Sequence, residues 1–182
     1  EDLWEHNETH TSDLQIFNYE VYKNGSRNKI GLDKNVFSFL LDGQKNIHFS
    51  NDIISINETQ SLLITSNNVL VTELVGVSSY RCLLFFFSHK NITDFLLKHS
   101  HSFSQNASDK KITDIPYFLL EKDNFIIHYI HSLQQIFGLQ QSISQKILEL
   151  KFEEIMLYLE DKYGTVFLDY LHYLVINKGE LS

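Results

Sequence analysis

Apolar and polar positions alternate in short runs through the first part of the chain, and recur every three to four residues through the last part. Phe37, Phe39 and Leu41 alternate with Val36, Ser38 and Leu40, after which Asp42-Gly43 supplies a turn. Further runs at 46–49, 53–56, 61–65, 69–74 and 80–87 follow at intervals of roughly 8 to 12 residues, broken by Asn, Asp, Ser and Gly. Such spacing predicts an antiparallel sandwich or small barrel. From Cys82 to Phe87 both alternating sets are apolar, which predicts a strand buried on both sides, one face toward the barrel interior and the other toward a second layer.

The period changes near Pro116 to Lys122, and the helices that follow supply that second layer. Ile126, Ile130, Leu133 and Phe137 predict a helix over 123–137, with Asp123 as its N-cap and Gly138 just past its end. Leu148, Phe152, Ile155 and Leu159 predict a second helix over 142–163, opened by Ser142 or Ser144 and closed by Gly164. A third, from Thr165 to about Asn177, carries Phe167, Leu168, Leu171, Leu174 and Val175 on one side. A shorter helix near 91–98 holds Phe95, Leu96 and Leu97, and the His/Ser-rich stretch 99–108 reads as a mobile loop. The expected layout is a flexible arm over 1–14, a barrel over 15–120 and a helical region over 121–182. The fold class is mixed α+β: an antiparallel β-barrel or jelly roll followed by a layer of about three helices.

Composition narrows the function. The chain has 182 residues, with 15 Lys plus Arg against 23 Asp plus Glu, a formal charge of −8, and Arg27 and Arg81 as its arginines. Affinity for nucleic acid comes mainly from cations that neutralise phosphates, so this chain by itself is not expected to hold DNA or RNA. The single cysteine, Cys82, lies in an apolar run and cannot form an intrachain disulfide, which points to a reducing, cytoplasmic setting. No apolar run reaches the length of about 18 residues that a membrane span needs. The chain starts at Glu1 without Met or an apolar leader, which reads as a trimmed or truncated start.

No catalytic set is legible. His128 and His131 share a helix face at i, i+3, but neither a His-Glu-x-x-His nor a Cys-x-x-Cys joins them, and solvated histidines are the simpler account. A Gly-x-Ser-x-Gly elbow and a Gly-rich phosphate loop are both missing, and Glu153-Glu154 fits the wet face of an amphipathic helix. The reading assigns no catalytic residue, no metal and no cofactor. Apolar surface remains: Phe37, Phe39, Leu41 and alternate residues of 80–87 line a barrel interior that is either filled or hollow. The stripe Leu148, Phe152, Ile155 and Leu159 packs on the barrel or pairs with a second chain, and Ile143, Ile147, Leu150 and Leu157 widen it.

The segments 35–49, 60–68, 71–74 and 80–88, with Asn91-Ile-Thr-Asp-Phe-Leu-Leu97 and the helix 148–159, together resemble the N-terminal cupin-like regulatory domain of AraC/XylS-type transcriptional regulators. Within that family the likeness is closest to the branch that contains type III secretion activators and Bacteroidetes relatives. The resemblance implies a domain that binds a small effector or a regulatory protein and dimerises through helices. DNA would be bound only through a separate C-terminal domain with two helix-turn-helix motifs, expected beyond Ser182. Cupin enzymes hold a metal with His-x-His and a further His, whereas this chain offers His48 and then Asn67-Asn68, so the resemblance implies no metal enzyme.

The resulting expectations are ligand-pocket residues Phe37, Phe39, Leu41, Phe49, Cys82, Leu84 and Phe86, and a homodimer seam of Leu148, Phe152, Ile155 and Leu159. A small apolar effector or a regulatory protein is the expected partner, with no membrane. The alternatives are a metal-independent cupin enzyme, such as an isomerase or epimerase, and a pure protein-interaction module.

Overall fold

The computed structural model describes residues 14–22, 28–31, 33–49, 52–65, 68–75, 79–99, 116–138 and 143–178. The 1–13 part of the expected arm, nearly all of the 99–108 loop, and Asn67 lie outside them. Strands β1 (Gln15–Val21), β2 (Asn28–Gly31), β3 (Asn35–Asp42), β4 (Gln44–His48), β5 (Ile53–Ile56), β6 (Gln60–Ile64), β7 (Asn68–Leu74) and β8 (Tyr80–Phe87) precede helix α1 (His89–Lys98). Strand β9 (Tyr117–Glu121) and helices α2 (Asn124–Gly138), α3 (Gln145–Tyr163) and α4 (Thr165–Lys178) follow.

Two antiparallel sheets face each other, ordered β1-β8-β3-β6-β9 and β2-β7-β4-β5. Among the described residues they form a sandwich and do not close into a barrel. The Asp42-Gly43 turn sits between the sheets, because β3 pairs with β8 and β6 while β4 pairs with β7 and β5. Gly43 makes the turn at φ 92°, a left-handed conformation that disfavours a side chain, and its N–H donates to Glu58 Oε1 at 3.1 Å.

The core divides into two clusters on either side of the five-stranded sheet. Between the sheets lie Val36, Leu40, Ile47, Ile56, Leu62, Ile64, Val71, Tyr80, Cys82 and Phe86. On the outer face, Phe37, Phe39, Leu63, Leu83, Phe85 and Phe87 pack against Ile130, Leu133, Phe152, Ile155 and Leu171 of the helices. Strand β8 belongs to both, as the two-sided apolar run predicts. Ring contacts join the layers: Phe87 to Phe152 at 4.9 Å and Phe39 to Tyr129 at 5.9 Å between centroids.

Helix ends follow the expected chemistry. Ser88 and Asn91 form a reciprocal capping box at α1. Asp123 Oδ1 accepts from the Ile126 N–H at 3.0 Å at the start of α2, and Gly164 closes α3 at φ 58°. Among the described residues no helix is long and apolar enough to cross a membrane.

Candidate functional site

The alternation in β3 separates its two faces but assigns them the wrong way round. Phe37 and Phe39 are fully buried, and with Leu41 they pack in the helix-facing cluster, whereas Val36, Ser38 and Leu40 point between the sheets. Both faces of this strand are covered, so a period of two cannot tell which layer each set meets. Cys82, Leu84, Phe86 and Phe49 do belong to the inter-sheet cluster, Cys82 being completely buried and Leu84 and Phe49 partly so. The seven expected pocket residues therefore do not share one cavity.

Between the sheets, the apolar filling is interrupted by one polar layer at the end where β3 gives way to β4. Lys45 Nζ donates to Ser38 Oγ at 3.0 Å across the two sheets and lies 5.9 Å from the centre of the Tyr80 ring. Ser38 Oγ is 3.2 Å from Cys82 Sγ. Tyr19 donates its hydroxyl to Glu73 Oε2 at 2.9 Å, and Glu73 stands opposite Lys45 in the β4–β7 register. Lys45 is 6 % exposed and Glu73 7 %, so two charged groups are nearly withdrawn from water. Burial first, and then the hydrogen bond to Glu73, pushes the Tyr19 phenol up to about 12; burial does the same, more strongly, to Tyr80.

Sequence reasoning missed Ser38, Lys45, Glu73, Tyr80 and Tyr19 as a group. A signal existed: Lys45 is two residues from buried Ile47, and Ser38 lies between Val36 and Leu40, positions that share one face of a strand.

Helix α3 has an inner and an outer apolar face. Leu148, Phe152, Ile155 and Leu159 are 0–5 % exposed and packed in the chain's own core, so they are not a surface for a second chain. The other set presents Ile147 at 43 %, Leu150 at 66 % and Leu157 at 40 % exposure. Near the start of the same helix, Phe17, Phe137, Ile143 and Leu148 line an open groove of about 380 Å³ beside β1.

His128 and His131 are exposed, with His131 Nε2 3.4 Å from Gln135 Nε2. No group of three His, Cys, Asp or Glu side chains suited to a metal ion occurs among the described residues. His48 Nε2 lies 3.3 Å from Thr72 Oγ1.

The class so defined is a mixed α+β domain: a two-sheet sandwich whose shared central strand is covered by helices, with an apolar interior and one buried polar layer. The model of the ExsA N-terminal regulatory domain matches residues 35–170, and the chain belongs to that family of AraC-type regulatory domains. A search of curated proteins finds no match. Among solved structures, apo ToxT K231A from Vibrio cholerae is similar at TM-score 0.59 and 13 % identity, over 84 % of this chain and 58 % of that one. ToxT from the same organism with an unsaturated fatty acid bound is similar at TM-score 0.53 and 14 % identity, over 85 % of this chain and 57 % of that one. A cupin superfamily protein from Desulfitobacterium hafniense is similar at TM-score 0.37 and 14 % identity, over 44 % of this chain and 72 % of that one. The chain thus spans a little over half the length of the ToxT chains it matches.

Proposed function

We propose that this chain is the effector- or partner-sensing and dimerising half of an AraC-type transcription regulator, acting on DNA through a separate helix-turn-helix domain. It performs no catalysis. The observation that carries the reading is strand β8: Cys82 and Phe86 face the inter-sheet interior while Leu83, Phe85 and Phe87 face the helices. Any change in what fills the interior therefore presses on the helical layer through β8 and through β3 and β6, which also face both ways. Occupancy would favour one arrangement of that layer over another, to the extent that the effector binds the two unequally.

A small apolar acid suits the interior, and ToxT with its bound unsaturated fatty acid supplies a precedent on the same fold. The dimer seam belongs on the outer face of α3, where Ile147, Leu150 and Leu157 repeat at spacings of three and seven. Full burial of Phe37, Leu40, Leu62 and Tyr80 favours a second reading, an interaction module with a filled core that responds to a protein partner. The chain is expected in the cytoplasm.

Native mass spectrometry of gently purified protein tests the first part: a retained small molecule supports effector sensing, and a bare mass with no ligand uptake supports the interaction module. Sedimentation tests the second. The double variant Leu150→Glu, Leu157→Glu is expected to sediment as a monomer under conditions where the parent is a dimer; an unchanged dimer mass removes the α3 face from consideration.

A further inference from the structure

We propose that the groove beside β1 is the docking site for this chain's own residues 1–13, with Leu3 and Trp4 seated between Phe17 and Phe137 and the carboxylates around them facing the start of α3. The proposal goes beyond the sensing function and is independent of what fills the space between the sheets.

The groove is apolar surface that the fold itself does not use. Phe17 on β1 and Phe137 at the end of α2 are 48 % and 43 % exposed, and both line it. Ile143 and Leu148 complete the apolar wall of an opening of about 380 Å³, a size that accepts a bulky aromatic side chain. Half-exposed rings gathered on one patch mark a surface that something covers.

The chain brings a candidate to the rim. Leu14 and Gln15 line the groove, and the Leu14 carbonyl accepts from Gln145 Nε2 at 3.2 Å, so residues 1–13 are joined to the groove wall at a point held against α3. Their sequence, Glu-Asp-Leu-Trp-Glu-His-Asn-Glu-Thr-His-Thr-Ser-Asp, is polar except for the adjacent pair Leu3 and Trp4. Trp4 lies ten residues before Leu14, and a flexible connection of that length spans about 17 Å on average. Such a tether keeps the indole at roughly millimolar effective concentration over the groove, so a modest apolar contact is enough to seat it.

Charge selects the same occupant. Ser144, the N-cap of α3, makes no side-chain capping bond, and the first turn holds Lys146 but no acidic residue. The partial positive charge of the first amides is therefore unanswered within the helix. Glu1, Asp2 and Glu5 flank Leu3 and Trp4, so seating the apolar pair carries carboxylates to that helix end. The covered groove adjoins Ile147, where the outer face of α3 begins, and the segment would border any partner seated on that face.

Trp4 is the sole tryptophan, so its fluorescence reports on this segment alone. The test compares the 182-residue chain with a synthetic peptide of residues 1–13, reading emission maximum and acrylamide quenching. The chain is expected to emit to the blue of the peptide and to be quenched several-fold less, equally at micromolar and nanomolar concentration. Phe17→Ser and Phe137→Ser, each checked for folding by circular dichroism, are expected to return both readings toward the peptide, and either variant alone suffices. Leu157→Ser, at the far end of the outer face of α3, is expected to change neither. Peptide-like emission from the parent overturns the proposal, and so does shielding that survives in a folded groove variant, which would place Trp4 elsewhere. Shielding lost on dilution also overturns it, because the groove would then be filled by a second copy.

Discussion

Asp123 ties the start of α2 to the end of α3 through one carboxyl group. It caps α2 at the Ile126 amide, accepts from the Tyr158 hydroxyl, and pairs with Lys162 Nζ at 2.7 Å. Burial, the largest single influence, pushes its pKa up; the hydrogen bonds from Lys162, Tyr158 and the Ile126 amide together outweigh it and bring the value from 3.8 to about 2. A carboxyl whose folded pKa lies below its unfolded one contributes stability that is complete above the unfolded value and is lost as pH falls through the folded value. The contribution therefore disappears between about pH 4 and pH 2. Asp123→Asn is expected to lower the melting temperature at pH 7 and to flatten its fall across that window; parallel melting curves for parent and variant would remove this cluster from the account. The cap itself is legible as an Asp ahead of an apolar period, but Tyr158 and Lys162 are not, since nothing local in the sequence says which helix ends meet.

The same limit applies to whole elements. Spacing alone locates α3 and shows two apolar sets on it; what decides between them is the contact of Phe152 with Phe85 and Phe87 on β8, a long-range fact. Hence Ile155→Ala, in the inner set, is expected to cost about 2–5 kcal/mol in urea unfolding, while Leu157→Ala on the outer face stays within about 0.5 kcal/mol. Equal losses at both positions would contradict the assignment of faces. Strands β3 to β8 are each legible as alternating runs between turn residues. Strands β1 and β9 are not: β1 buries only Ile16 and β9 only Leu120, so little of the two-residue period is written into them. In β3 the alternation is plain and the layer it meets is not, which is why Phe37, Phe39 and Leu41 exchange places with Val36, Ser38 and Leu40.

For the molecule as a whole, the charge of −8 acts on any polyanion before a contact forms. The 182-residue chain is expected to leave the mobility of duplex DNA unchanged at physiological salt in a gel-shift assay, and a salt-sensitive shift would overturn that expectation. The sheet order sets a further condition, on timing. In the five-stranded sheet β8 is hydrogen-bonded to β1 on one edge and β3 on the other, with Gln15 facing Phe86 and Val36 facing the same residue from the opposite side. Neither early strand can find its partner until the ribosome has delivered Phe86. Until then β3, apolar on both faces, waits without a neighbour on that edge, the kind of exposed strand on which nascent chains associate with one another. Synthesis rate and chaperone supply should therefore govern the yield of this domain more than its finished stability does.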